Sequence, residues 1–263
     1  MLQLQLEPHP TRWDLKWRMF GIPVRVHPLF WLMALIFSYQ DRMPGDLLAI
    51  TVVCIFISIL VHEFGHAFCQ RHYGDRANHV VLYQMGGLAV GSREPSRVWP
   101  RVAISLAGPG AGFVLGGLAL LAEWGFETGR LPVPGLHLLW AIGALIWINF
   151  VWGVFNLLPI FPLDGGNIAR AIIKHRARRN ADLKFFTLSF WAGVIAALLC
   201  LAWGIKSGES LMGFYPALLF GLLAFQSFTI RKQLARYGGE LDEPEEVREA
   251  WQQDPDWWKR GGR

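Results

Sequence analysis

Residues 47–66 read Leu-Leu-Ala-Ile-Thr-Val-Val-Cys-Ile-Phe-Ile-Ser-Ile-Leu-Val-His-Glu-Phe-Gly-His. Fifteen residues, Leu47 to Val61, pass without a charge, and three ionisable groups follow within five positions. At ~1.5 Å per residue the apolar run carries His62 ~22 Å into a hydrocarbon core ~30 Å thick, ~8 Å short of its far edge. An unpaired glutamate at that depth costs at least ~2.5 kcal/mol on insertion scales, so Glu63 needs a partner or a task. The alternative is that the three residues end a helix in hydrated surroundings at the interface.

The pattern repeats along the chain. Of the 263 residues, 53% are hydrophobic and 17% charged, against about 25% charged in an average soluble domain. Apolar blocks close to the ~20 residues needed for a membrane crossing fall at about 21–39, 47–70, 101–124, 136–158, 185–204 and 211–230. The first is the weakest, because Arg25 and His27 precede its dense part. Residues 1–20 hold Glu7, Asp14 and several basic residues without an apolar core, which predicts an uncleaved first span rather than a signal peptide.

Basic residues sort on this partition. Arg42, Arg130 and Lys206 stand alone in three loops, and the other 22 of the 25 fall on the opposite face. The positive-inside rule then places both termini in the cytoplasm of a multi-pass protein of the cell membrane. The net charge of +5 is thereby an orientation record and not a patch for nucleic acid. The apolar content excludes a disordered chain, and three scattered cysteines exclude a disulfide scaffold. The expected class is an all-α membrane protein of six transmembrane helices with a small β or re-entrant element between spans two and three. Residues 1–20 form a cytoplasmic segment, 21–230 the membrane domain and 231–263 a short cytoplasmic tail. That tail holds eight acidic residues between Glu240 and Asp256, with Trp251, Trp257 and Trp258, and reads as an interface-lying helix or as a flap.

His62 and His66, four apart, stack on one helical face and can present two imidazoles to one ion. Glu63 is offset from that face and placed to take a proton from water activated by the ion, the H-E-x-x-H arrangement of zinc hydrolases. A catalytic zinc needs a third protein ligand and an open position. Asp164 qualifies by topology, since the fourth span runs toward the same face and ends in Asn-Leu-Leu-Pro-Ile-Phe-Pro-Leu-Asp-Gly-Gly, residues 156–166. Prolines at 159 and 162 open the backbone there, and such backbone survives at membrane depth only inside protein or around a wet cavity. Asp164 also reads as an N-cap for a helix beginning near Asn167. The remaining histidines read as surface residues, with His27 able to approach the site from span one. Cys54, Cys69 and Cys200 read as reduced thiols.

These residues resemble those of the site-2 proteases, intramembrane zinc metalloproteases. The resemblance is carried by His62 to Gly74 (HEFGHAFCQRHYG), by Met85-Gly86-Gly87-Leu88, by Leu106-Ala107-Gly108-Pro109 and by Asn156 to Gly166 (NLLPIFPLDGG). It covers roughly residues 20 to 175 and is similar to the compact six-span bacterial members. It implies one Zn2+ per chain held by His62, His66 and Asp164, with Glu63 as general base. It implies Asn156 as a substrate-binding or oxyanion-stabilising amide, and Gly86 and Gly87 in a short sheet or re-entrant loop that pairs with substrate backbone. The two glycines read equally well as a plain turn. One departure is Gly112, where members often carry Asn. Gly108, Gly112 and Gly116 here form a small-residue stripe suited to close helix packing.

The resulting expectation is a metalloendopeptidase that cuts in or near the transmembrane helix of a single-span substrate within the lipid bilayer. The alternatives are a transporter or metal channel that uses the His/Glu/Asp cluster as a binding site, and a catalytically silent homologue that binds membrane helices. Oligomeric state has no sequence signal.

Overall fold

The structure is a computed structural model that describes residues 8–38, 43–84, 86–92, 95–177, 179–207 and 210–236, without the side chains of 210–213. The acidic, Trp-containing tail lies outside the described residues. Those described fall into two compact units, residues 8–95 with 107–153, and residues 96–106 with 154–236.

The first unit opens with strands β1 (Leu15–Met19) and β2 (Ile22–Val26), an antiparallel hairpin in which Met19 pairs Ile22. Its two-residue loop has both central residues in the left-handed region, Phe20 at φ 52° and Gly21 at φ 72°. That is the turn whose twist matches paired strands. Helix α1 (Pro28–Ser38) follows, then α2 (Gly45–His72), β3 (His79–Tyr83) and β4 (Gly86–Val90). The four strands form one sheet in the order β1-β2-β3-β4, with β2 parallel to β3 and the other pairs antiparallel. Ile22, Val24, Val26, Val80 and Leu82 pack with Phe30, Ala34, Ile59, Leu60, Phe64 and Ala67 in a core between the sheet and the two helices. The stretch of α2 from Ile59 to Ala67 is thereby fixed against a sheet.

Residues 107–127 of helix α3 (Val98–Glu127) and 136–153 of helix α4 (Leu136–Asn156) complete this unit. Side-chain bonds join α2 to α4 at Asp46–His137, 2.7 Å, Trp140 to Thr51, 2.9 Å, and Asn149 to Ser58, 2.9 Å. The partners advance together along both helices, so α2 and α4 run parallel, as the alternation of spans requires. The second unit contains α5 (Asp164–Arg176), α6 (Ala181–Ser207) and α7 (Ser210–Arg236). Ile160, Phe220 and Leu223 form its core.

Among the described residues, five of the six expected spans are helices long and apolar enough to cross a membrane: α2, α3, α4, α6 and α7. The block expected as the first, at about 21–39, divides into β2 and the 11-residue α1. Eleven residues at ~1.5 Å give ~16 Å, about half a hydrocarbon core. The reason lies in Arg25 and His27. Arg25 is 2% exposed inside β2 and bonded to Asp14 at 3.0 Å, and the His27 N–H donates to Leu82 O at 2.9 Å. The expected β element between spans two and three is present as β3–β4, enlarged to four strands by the N-terminal hairpin.

Candidate metal centre

His62, Glu63 and His66 sit on α2 at 5%, 5% and 7% exposure. The two rings are nearly perpendicular, at 76°, with centroids 4.8 Å apart. Their Nε2 atoms face each other at 3.1 Å. Two nitrogens, each ~2.0–2.1 Å from a shared zinc at a near-tetrahedral angle, would be ~3.3 Å apart, so this pair fits a common ion with little adjustment. Burial of two imidazoles on one face, with no apolar side chain between them, is what a ligand pair requires and what an ordinary helix end lacks.

Two backbone approaches shape the pocket. A Cβ at Gly108 of α3 would collide with the His66 ring, so the helix passes directly over that imidazole. A Cβ at Gly87 of β4 would collide with the Glu63 carboxylate. Gly86, at φ +116°, opens β4 opposite Tyr83, and its missing Cβ would lie 3.3 Å from the Trp152 ring. The glycine pair is therefore the start of a strand rather than a plain turn, and β4 ends the order of described strands. Tyr83, 8% exposed, completes this wall. Burial first, and then the Glu63 charge, pushes its phenol up to about 12, so it stays protonated at neutral pH.

Asp164 and Asn156 belong to the second unit. Asn156 is the last residue of α4 and is 9% exposed. Asp164 is half-buried and is the first residue of α5. Leu163 occupies the N-cap and Asp164 follows it as the first helical residue, so α5 starts three residues before the Asn167 start read from sequence. Asp164, His62 and His66 each offer one metal-binding atom, a carboxylate oxygen or an imidazole nitrogen.

The other histidines are placed elsewhere. His27 accepts from the Leu29 N–H through Nδ1 at 3.2 Å immediately before α1, and among the described residues it is not part of the His62, His66 and Asp164 group. His79, expected at the surface, is 2% exposed within β3. The three thiols are free. The small-residue stripe splits: Gly108 receives His66, whereas Gly112 and Gly116 lie against Asn149 and Phe150 of α4. Sequence reasoning missed Asn149, 4% exposed, and its partner Ser58. The available signal was an amide in the middle of an apolar block.

The family model described as peptidase family M50 matches residues 50–129 and 131–200. A zinc metalloprotease of Methanocaldococcus jannaschii is 29% identical over 191 residues, 72% of this chain and 53% of that protein. A relative from Synechocystis is 34% identical over 168 residues, 59% of this chain and 42% of that protein. The chain thus spans about half the length of the curated relatives it matches. The solved structure of a site-2 protease from Methanocaldococcus jannaschii superposes with a TM-score of 0.56 at 27% identity, covering 82% of this chain and 95% of that one.

Proposed function

The chain belongs to peptidase family M50, and on that premise we propose that it is a multi-pass intramembrane zinc metalloendopeptidase that cleaves a peptide bond in or near the transmembrane helix of a single-span substrate. The observation that carries this reading is the buried His62–His66 pair with Glu63 between them on α2. His62, His66 and Asp164 would hold one Zn2+ per chain, three protein ligands leaving a position open as catalytic zinc sites do. Bound there, zinc supplies Lewis-acid chemistry, polarising a carbonyl and acidifying water.

The chain's own residues do the rest. The Glu63 carboxylate accepts the proton from the attacking water and delivers it to the leaving amine nitrogen. Contact with Gly87 limits the rotamers open to that carboxylate. The Asn156 amide donates toward the oxygen where negative charge develops, a contact worth ~2.7–4 kcal/mol where measured by mutation. A helical substrate hides its carbonyls, so it must unwind, and β4 at Gly86 and Gly87, last in the order of described strands, offers backbone partners for the extended stretch. Helix-breaking residues in the substrate lower that cost.

Residues 21–230 form the protease domain in this reading, with residues 1–20 and 231–263 as cytoplasmic segments and both termini on the cytoplasmic side of the cell membrane. The 22 basic residues on one face support that orientation. A general base between two ligands favours hydrolysis over transport. The test is Glu63→Gln in zinc-loaded protein with a single-span substrate. Cleavage is expected to fall ~10²–10⁴-fold with zinc content unchanged, and cleavage at the wild-type rate would overturn the reading.

A further inference from the structure

Asp182, Phe185, Phe186 and Ser189 of α6 are each 0% exposed. Their spacing puts all four on one helical face. Two of the four are polar, in a position where a membrane helix would ordinarily place apolar groups. Both are engaged with the segment that carries Asp164. Asp182 accepts a hydrogen bond from Arg170 Nε at 2.8 Å and pairs with Lys174 Nζ at 3.5 Å, both from α5. Ser189 Oγ accepts from the Phe161 N–H at 2.8 Å and shares a hydrogen bond with Ser227 of α7, also 2.8 Å. Between these contacts the Phe186 ring meets Phe161 at 5.5 Å. One face of α6 therefore grips the chain three residues before Asp164 and again six residues after it.

The gripped segment has little room to shift. Side chains on Gly165 and Gly166 would run into the carbonyls of Leu157 and Ile160, so the approach loop lies directly on the first turn of α5. Stability alone accounts poorly for Asp182, because a buried ion pair commonly contributes no more than well-packed apolar residues of the same volume. In some proteins such a pair instead fixes register and orientation, and here Asp182 is buried while both its cations come from α5.

We propose that Asp182 and Ser189 are positioning residues that set the place and angle of the Asp164 carboxylate for its metal. The inference rests on the ligand assignment proposed above. Asp182 acts through the helix that Asp164 begins, and Ser189 through the loop that leads into it. Groups that orient metal ligands typically change metal affinity 10–100-fold when removed, and the same scale applies here.

The test is a double-mutant cycle on the full chain in detergent, read as zinc affinity by competition with chelators of graded strength. Wild type, Asp182→Asn, Ser189→Ala, Asp164→Ala and the two combinations with Asp164→Ala are compared. Asp182→Asn and Ser189→Ala should each weaken zinc binding about tenfold or more, and neither should add to the loss caused by Asp164→Ala. A merely structural role would give the same factor with and without Asp164, and that result would overturn the proposal, as would wild-type affinity in Asp182→Asn. Ser189→Ala removes only a hydroxyl and carries the same test should Asp182→Asn not fold. Unchanged affinity in Asp164→Ala alone would instead bring down the ligand assignment, a failure read from that single variant.

Discussion

Asn149 of α4 donates its side-chain amide to Ser58 Oγ of α2 at 2.9 Å, one helical turn before His62. The same amide also donates to Leu145 O at 2.8 Å. Gly112 of α3 leaves the space this side chain fills, since a Cβ there would stand 3.3 Å from Asn149 Oδ1. Interhelical hydrogen bonds of this kind average ~0.6 kcal/mol in membranes and reach ~1.7. Asn149→Ala should lower stability in detergent by about that much and leave zinc content unchanged. Thermal unfolding and metal analysis check both halves. Loss of zinc in this variant would show that the bond positions His62 rather than joining two helices.

Gly108 bears on the metal more directly. A methyl group there must displace the His66 ring, because the collision is with ring atoms and not with a flexible chain end. Gly108→Ala is expected to weaken zinc affinity about tenfold or more, the scale of a misplaced ligand. Gly110→Ala, two residues along the same helix with nothing within 4 Å of its Cβ, should bind zinc as wild type does. Equal affinities in the two variants would mean that α3 does not shape the ligand pair.

Gly87 separates catalysis from metal binding. Its absent Cβ would overlap the carboxylate end of Glu63, which supplies the three nearest atoms. Gly87→Ala should retain zinc and lose turnover about 10²-fold or more, the scale of removing a positioned acid–base group. Zinc lost together with activity would assign Gly87 a structural role in the pocket instead.

The parts of this site that were legible in the sequence are those with local rules. His62, Glu63 and His66 lie within five residues, where helical periodicity alone sets which side chains share a face. The long spans were legible because length and apolarity suffice to identify them. The N-terminal half of the sheet was not, because β2 runs straight into α1 and the joined stretch reads as one apolar block. A change of period from 2 to 3.6 is hidden when nearly every position is apolar. Arg25 and His27 were the visible discord in that block. Their meaning depended on Asp14 and Leu82, and the latter lies more than fifty residues away in β3. The Asp182 and Ser189 contacts were equally invisible, since an Asp at the start of a helix and a Ser within a span look ordinary until their partners are in place.

Arg25 supplies a prediction about pH. Its guanidinium bonds Asp14 Oδ2 at 3.0 Å and Pro8 O at 2.9 Å, while Thr11 donates to Asp14 from its hydroxyl at 2.5 Å and from its N–H at 3.0 Å. Burial alone would raise the Asp14 pKa. The Thr11 bonds and the Arg25 charge together outweigh it, and hold the carboxyl below its ordinary 3.8. A carboxyl lowered by folding stabilises the folded state above its unfolded pKa, and that contribution is lost as pH falls through the folded one. Asp14→Asn should therefore be less stable than wild type at pH 6, with the gap closing progressively below about pH 3.8. The hairpin it anchors holds β2 against β3, so proteolysis near residues 8–21 provides a local readout beside global unfolding. A gap as wide at the acid end as at pH 6 would mean that Asp14 acts through shape and not charge.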